Sequence, residues 1–294
     1  ERIKDLAQEN AALEKRVRGL EGNVEQSEKG EERMKKVNHT FVICAYKKSP
    51  YLAETVLSIM KQTKKSNVVM ITSTPNEYIA AIAKEYGVEV RVNHSPDAGT
   101  MAGDWNFALQ SARTDYITIA HHDDYYEPQY TEKVLQSDRK RDAVIIFTEY
   151  FEMRGKERVY QNKLLKIKRI MNLGFRIFPR SRFIRKRILS VGNPICCPAV
   201  TFSKKRCHEF IFDKKYSNNL DWEAWIRLAD RKGRFLCVPE PLMGHRIHQN
   251  SGTTKYIADG TRYYETVDIY KRFWPDWIVR ILHHFYTKAD ISND

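Results

Sequence analysis

The chain is 294 residues long and has no uninterrupted apolar run of the roughly 18 residues that a membrane-spanning helix requires. It has no glycine-rich phosphate loop of the Gly-x-Gly-x-x-Gly or Walker type, so any phosphate it binds must be held by metal and side chains. Its five cysteines, Cys44, Cys196, Cys197, Cys207 and Cys237, lack metal-ligand spacing. An odd count with one adjacent pair argues against a disulfide framework, and reduced thiols in a cytoplasmic setting are the expectation. Neither a starting methionine nor a signal-peptide core opens the chain, which reads as a fragment. Acids are under-represented: 37 Asp and Glu face 50 Lys and Arg, for a net charge of +13.

The hydrophobic content of 42% is ordinary for a globular enzyme with a substantial core, so the charge has to be located before it is interpreted. Residues 1–37 hold nine bases and nine acids, which leaves the whole excess on the rest of the chain. Within it, residues 163–190 carry ten Lys or Arg and no acid, interleaved with Leu164, Leu165, Ile167, Ile170, Met171, Leu173, Phe175, Ile177, Phe178, Phe183, Ile184, Ile188 and Leu189. That composition suits a segment lying in the headgroup plane of an anionic membrane, with Arg185, Lys186 and Arg187 as its densest cations. The alternative is a solvated helix pair with an ordinary core face. Nucleic acid is not expected, because no nucleic-acid motif accompanies the charge.

Over residues 1–27 the apolar positions recur at three and four: Ile3, Leu6, Asn10, Leu13, Val17, Leu20, Val24. Ile and Val at the first core position with Leu at the second favour two parallel strands, and Asn10 would fix register. A coiled-coil homodimer follows, native or fused on, with residues 25–37 as tail and linker. From His39 the pattern becomes strands alternating with helices: strands over 40–46, 67–72, 88–93 and 115–120, and helices over 50–62, 76–86 and 100–112. Such alternation predicts right-handed crossovers and a mainly parallel sheet with flanking helices. The domain is expected to span residues 38–260, with a helical, basic and aromatic extension over 261–294.

The strand over 115–120 ends in His121-His122-Asp123-Asp124-Tyr125-Tyr126-Glu127-Pro128. A buried strand ending in adjacent acids delivers them to the carboxyl edge of the sheet, where open α/β sheets bind ligands. Two neighbouring carboxylates ionise together only when a cation or water screens them, and hard oxygen ligands suit Mg²⁺ or Mn²⁺. The competing reading has the pair capping a helix that starts near Pro128.

In order along the chain, these segments resemble the family 2 inverting glycosyltransferases of the GT-A fold. Val42-Ile-Cys-Ala45-Tyr46 stands where that family's first strand ends, and residues 51–63 resemble its next helix. Residues 99–108, with Asn106, resemble its glycine-to-Arg-Asn helix. The segment 121–128 resembles the Asp-x-Asp-Asp-x-x-x-Pro element that holds metal and nucleotide-sugar diphosphate. Residues 220–228 resemble its Glu-Asp-x-x-x-Trp helix, and Pro239-Glu-Pro-Leu with Arg246-Ile-His248 its closing strands. The likeness runs over residues 38–254.

The resemblance implies transfer of a hexosyl or deoxyhexosyl group from a nucleotide sugar, with Mn²⁺ or Mg²⁺, to a glycan hydroxyl. It implies Asp221 as the base, Asp123 and His248 at the metal, and Ala45, Tyr46, Thr72, Ser73, Asn106, His121, His122, Asp124 and Arg246 around the donor. The chain departs from the family in two places. Thr72-Ser73 replaces the two acids expected at the end of the second strand, and His121 replaces the first acid of Asp-x-Asp, where it either ligates the metal or touches ribose or diphosphate. Asn193, between the basic segment and Asp221, is expected on the acceptor side. A basic segment beside the acceptor points to a lipid-linked glycan of surface polysaccharide assembly, with the protein peripheral on the inner face of the cell membrane. The rival classes are a coiled-coil scaffold that has lost catalysis and a basic binding module.

Overall fold

The computed structural model describes residues 38–248 and 260–291. The heptad segment and its expected dimer seam lie outside the described residues. From His39 the chain runs through His39–Ala45 (β1), Leu52–Met60 (α1), Asn67–Thr72 (β2), Glu77–Tyr86 (α2), Glu89–Val92 (β3), Met101–Ser111 (α3) and Tyr116–His121 (β4). Each lies within two residues of its expected bounds. Then come Tyr125–Tyr126 (β5), Tyr130–Ser137 (α4), Ala143–Arg154 (β6), Glu157–Val159 (β7), Lys163–Ile177 (α5) and Arg182–Leu189 (α6). Val200–Ser203 (β8), Leu220–Ala229 (α7), Arg234–Ile247 (β9), Thr261–Lys271 (α8) and Asp276–Ile291 (α9) complete the order. No helix among the described residues is long and apolar enough to cross a membrane.

Local chemistry explains several helix starts. Asn76, Thr100, Asn162 and Ser181 each accept a bond from the third backbone N–H onward, so α2, α3, α5 and α6 begin where a short oxygen-bearing side chain satisfies an otherwise unpaired donor. α2 ends at Gly87, whose left-handed φ of 65° closes the turn.

The strands join in the order β3-β2-β1-β4-β8-β6-β9-β5, with β7 folded onto β6. β3, β2, β1 and β4 are mutually parallel, so their carboxyl ends open on one edge. β6 and β9 are also parallel, whereas β8, β5 and β7 pair antiparallel with their neighbours. The architecture is therefore a mixed sheet with its parallel half where the sequence placed it.

Both faces of β1 are covered. Phe41 and Ile43 pack with Leu52, Val56 and Ile59 of α1 and Ile79 and Ile82 of α2. Val42 faces Ala102, Trp105 and Ala108 of α3, in a cluster that also holds Trp222 and Trp225 of α7. A strand buried on both sides explains the unbroken apolar run Phe41-Val-Ile-Cys-Ala45.

After a first irregularity between Ala143 and Ile145, β6 and β9 keep register from Ile145 to Thr148, and Glu149 then pairs with Pro241 at a bulge. Proline cannot donate to the ladder, so the bulge falls where Pro239 and Pro241 interrupt β9. Past the bulge β9 runs between β6 and β5, through Gly244. A Cβ on Gly244 would lie 2.7 Å from the Phe151 ring and 2.8 Å from the Met153 sulfur. Glycine at this position leaves room for the Phe151 and Met153 side chains to fold over β9, next to His245 and Arg246.

Candidate functional site

The parallel half of the sheet delivers Ala45 and Tyr46 from β1, Thr72 and Ser73 from β2, and His121 to Asp124 from β4 to one edge. Links across the edge hold them there. The Tyr46 N–H donates to His122 Nδ1 at 3.0 Å, and Ser49 Oγ donates to the His122 carbonyl at 3.4 Å.

His121, Asp123 and Asp124 place ligand atoms within 4.8 Å of one another, a set of one imidazole nitrogen and two carboxylates. Asp124 is 1% exposed; its Oδ1 accepts from the Arg246 N–H at 2.9 Å and lies 3.2 Å from His245 Nδ1. Its Oδ2 and His121 Nε2 are buried without a hydrogen-bond partner. A donor set of two carboxylates and one imidazole, with buried atoms lacking hydrogen bonds, fits a divalent cation, and the imidazole suits Mn²⁺ better than Mg²⁺. Burial holds the His121 pKa below its ordinary value, which keeps a ring nitrogen free to ligate. Burial alone would raise Asp123, yet its bond to His248 and the surrounding imidazoles hold it well below the usual carboxylate range. The helix-cap alternative for the acid pair fails: α4 starts at Tyr130 behind Gln129, and neither acid caps it.

His248, expected at the metal, has its Nε2 2.9 Å from Asp123 Oδ2 and lies outside the set of His121, Asp123 and Asp124. The Trp105 indole stacks on His121 with centroids 5.2 Å apart and the planes 21° from parallel. Trp105 and His245 were both missed in the sequence. His245 had one signal, its place beside Arg246 in the closing strand, while nothing local marked Trp105.

Arg246 is a correction. Expected at a phosphate, it is 5% exposed, and its guanidinium donates to the Asp123 carbonyl at 2.8 Å and to Glu54 Oε2 at 2.7 Å. It also lies 4.2 Å above the Tyr51 ring. These two bonds tie the acid loop to α1. Asn106 is a second correction: its amide donates to the Phe212 carbonyl at 3.1 Å and accepts from the Phe212 N–H at 2.6 Å, so both ends tie down a loop. Thr72 is 1% exposed and its hydroxyl accepts from the Thr74 N–H, a turn bond and not a ligand contact.

Ser73 instead donates to Asp104 Oδ2 at 2.7 Å, and Asn93 donates to Asp104 Oδ1 at 2.7 Å. α3 thus supplies a carboxylate at the end of β2, where sequence reading found none. Asp104 sits in the first turn of α3, where an acid reads as a dipole partner, and only the fold shows what it meets.

The second part of the site is built on α7. Asp221, in its first turn, accepts from Asn193 Nδ2 at 2.9 Å and from the Trp222 N–H at 2.7 Å. Burial pushes its carboxyl above the ordinary range against those two bonds, which gives a carboxylate of raised basicity. The Asn193 side chain thus lies against Asp221, the residue that the family resemblance implied as the base. Glu223, on another face, is buried against Arg227 and Arg272. The loop ahead of α7 is held by Glu265 of α8, whose carboxylate accepts from the Ser217, Asn218 and Asn219 N–H groups at 2.6, 3.0 and 2.7 Å.

Cys196 and Cys197 lie near enough to both Asp124 and Asp221 for the two carboxylates to act on their thiols. Burial raises both thiols well above their ordinary values, so they line the site as unreactive groups. Lys168 of α5 donates to Tyr150 Oη at 2.9 Å, and its charge helps hold the Asp221 carboxyl down.

Two of the three cations expected at a membrane are placed otherwise. Arg185 is fully buried and donates to the carbonyls of Pro179, Ala229, Arg231 and Gly233, which makes it a clamp between α6 and the end of α7. Lys186 is half-exposed and paired with Asp230 at 2.9 Å. Arg187 alone stays exposed, 5.4 Å above both the Phe183 and Trp274 rings.

The model of the family described as glycosyl transferase family 2 matches residues 40–212. No curated protein matches the chain in sequence. Among solved structures, S. aureus TarS 1-349 superposes with a TM-score of 0.58 at 12% identity, covering 79% of this chain and 64% of that one. The same protein in complex with UDP-GlcNAc gives 0.60 at 12% identity, covering 79% and 65%. The mannosyltransferase PcManGT from Pyrobaculum calidifontis, in complex with GDP-Man and Mn²⁺, gives 0.58 at 12% identity, covering 84% and 68%. This chain spans just under two thirds of the length of TarS 1-349. At such identity the likeness establishes the fold.

Proposed function

Because the chain belongs to glycosyl transferase family 2 and has that family's GT-A fold, we propose that it moves a sugar from a nucleotide-sugar donor to a hydroxyl of a glycan acceptor with inversion at the anomeric carbon. The observation that carries the reading is the pairing of an acid loop having open ligand atoms, His121 Nε2 and Asp124 Oδ2, with a separate raised carboxylate at Asp221. His121, Asp123 and Asp124 would hold Mn²⁺ or Mg²⁺, which when bound neutralises charge on the diphosphate that leaves. The nucleoside lies against the ends of β1 and β2, with Asp104 and Ser73 as its polar contacts. Asp221 takes the proton of the acceptor hydroxyl as that oxygen attacks the face opposite the leaving group, and Asn193 aims the carboxylate. Arg246 and His245 keep the acid loop in place.

A lipid-linked glycan in surface polysaccharide assembly, at the cytoplasmic leaflet, is the acceptor class we favour. The support is the position of Asn193, directly after the basic and apolar helices α5 and α6.

Release of nucleoside diphosphate from a panel of nucleotide sugars, with and without Mn²⁺, tests the reading. At least one donor should be turned over in a metal-dependent way; inertness toward all of them, with no thermal stabilisation by any donor, would leave a binding module. Asp221→Asn should keep that stabilisation and lower kcat by about 10² to 10⁴. In the wild type, kcat should fall on acidification as Asp221 protonates, at a pH above the ordinary carboxylate range. A variant that loses donor binding and turnover together would count against Asp221 as the base.

A further inference from the structure

α5 has two different faces. Leu165, Asn172 and Phe175 are buried and Lys168 turns inward to Tyr150, while Ile167, Ile170, Leu173 and Ile177 form a stripe at helical spacing on the outside. Ile170 is 67% exposed and Ile177 65%. Phe178 and, in α6, Phe183 continue the stripe at 52% and 65%. A helix of a globular domain turns such a stripe toward the core and polar residues outward, so a surface with this arrangement is meant to be covered.

Charge identifies the occupant. Lys163, Lys166 and Arg176 are exposed on α5, and Arg187 lies over Phe183. Residues 163–190 contribute no acid, and the ion pairs found there are Arg180 with Asp142 and Lys186 with Asp230. A second copy of this face would set cations against cations. Nucleic acid would meet the cations but leave the isoleucines and phenylalanines in water. Anionic lipid satisfies both, with headgroup phosphates at the rim and the acyl boundary under the stripe. Arg187 also lies over the Trp274 ring, which joins the stripe to the start of α9, where Trp277, Ile281 and Phe285 recur every fourth residue and are exposed.

We propose that the outer face of α5 and α6 docks the protein on an anionic bilayer, with Ile170, Ile177, Phe178 and Phe183 entering the interface and Lys163, Lys166, Arg176 and Arg187 among the phosphates. This deepens the transferase reading by naming the surface from which its acceptor is drawn, and the two can fail separately.

The test is sedimentation with phosphatidylcholine vesicles containing about 30% phosphatidylglycerol, against phosphatidylcholine alone, at low salt and at about 0.5 M NaCl. The full chain should pellet with the anionic vesicles only and be released by salt. Ile170→Ser, Ile177→Ser and Phe183→Ser combined should lower partitioning about tenfold or more, and Lys166→Gln about fivefold, with melting temperature and donor hydrolysis unchanged. The proposal is overturned if the wild type ignores anionic vesicles at low salt, if the triple variant binds as well as the wild type, or if lipid-free wild type self-associates through the stripe. Vesicle binding without hydrolysis of any donor would sink the transferase reading and leave the docking intact.

Discussion

Asp123 and Asp124 are adjacent in sequence yet have different surroundings. Asp123 meets His248 at 2.9 Å, whereas Asp124 is enclosed by the Arg246 N–H, His245 and His121, with one oxygen lacking a hydrogen bond. Replacing Asp123 with alanine removes a ligand and frees His248 while leaving the β9 anchors on Asp124 untouched. Asp123→Ala should therefore fold with a wild-type melting temperature and lose metal-dependent turnover by about a thousandfold, the equivalent of several kcal/mol of charge stabilisation. Calorimetric titration with Mn²⁺ checks the cause, since binding should weaken in parallel; activity near that of the wild type would remove Asp123 from the metal site. The sequence made these residues legible because they are consecutive and follow a buried strand. It could not show that Arg246 bonds Glu54 and the Asp123 carbonyl, because burial of a cation depends on partners 192 and 123 positions away. Asp104 was invisible for the related reason that its partners, Ser73 and Asn93, come from other strands.

Elements were legible where pattern and caps agree. The first seven follow from apolar runs bounded by Asn76, Gly87 and Thr100, and all were placed to within two residues. The antiparallel strands β5 and β7 span two and three residues, too short for any periodicity to register, and the four-residue β8 lacks the flanking helices that framed β3. α7 shows how one element depends on another. Its N-cap, Asn219, makes no capping bond of its own, and the three N–H groups of residues 217–219 all point to Glu265. Asn219 Nδ2 also donates to Thr266 Oγ1 at 2.9 Å, so α8 holds the start of the helix that carries Asp221. Glu265→Gln offers one acceptor oxygen in place of two and should cost about 2 kcal/mol or more of stability in urea unfolding, given that a bond to a charged group is worth about 1.5–3 kcal/mol. Because Asp221 is then less firmly placed, kcat should drop while the donor KM stays put. An unchanged kcat in a destabilised protein would confine Glu265 to a purely structural role.

At the scale of the whole molecule the charge is divided by function. Residues 1–37 balance their nine bases with nine acids, and the domain carries the full +13. A neutral heptad segment can pair with its copy without the repulsion that two such domains bring, and Asn10 at a first core position favours two strands in register at some cost in stability. We therefore expect the full chain to be a dimer held by residues 1–27. A second copy brings a second lipid-facing stripe, so the pair should bind vesicles more tightly than one domain does, as two linked contacts act at a raised effective concentration. Sedimentation velocity of the full chain and of a chain beginning at Val37 separates the cases. The shorter chain should run as a monomer and partition more weakly onto anionic vesicles while hydrolysing donor at the same rate per domain. If it remains dimeric, the domain carries a second interface of its own, and the heptads are not what holds the pair together.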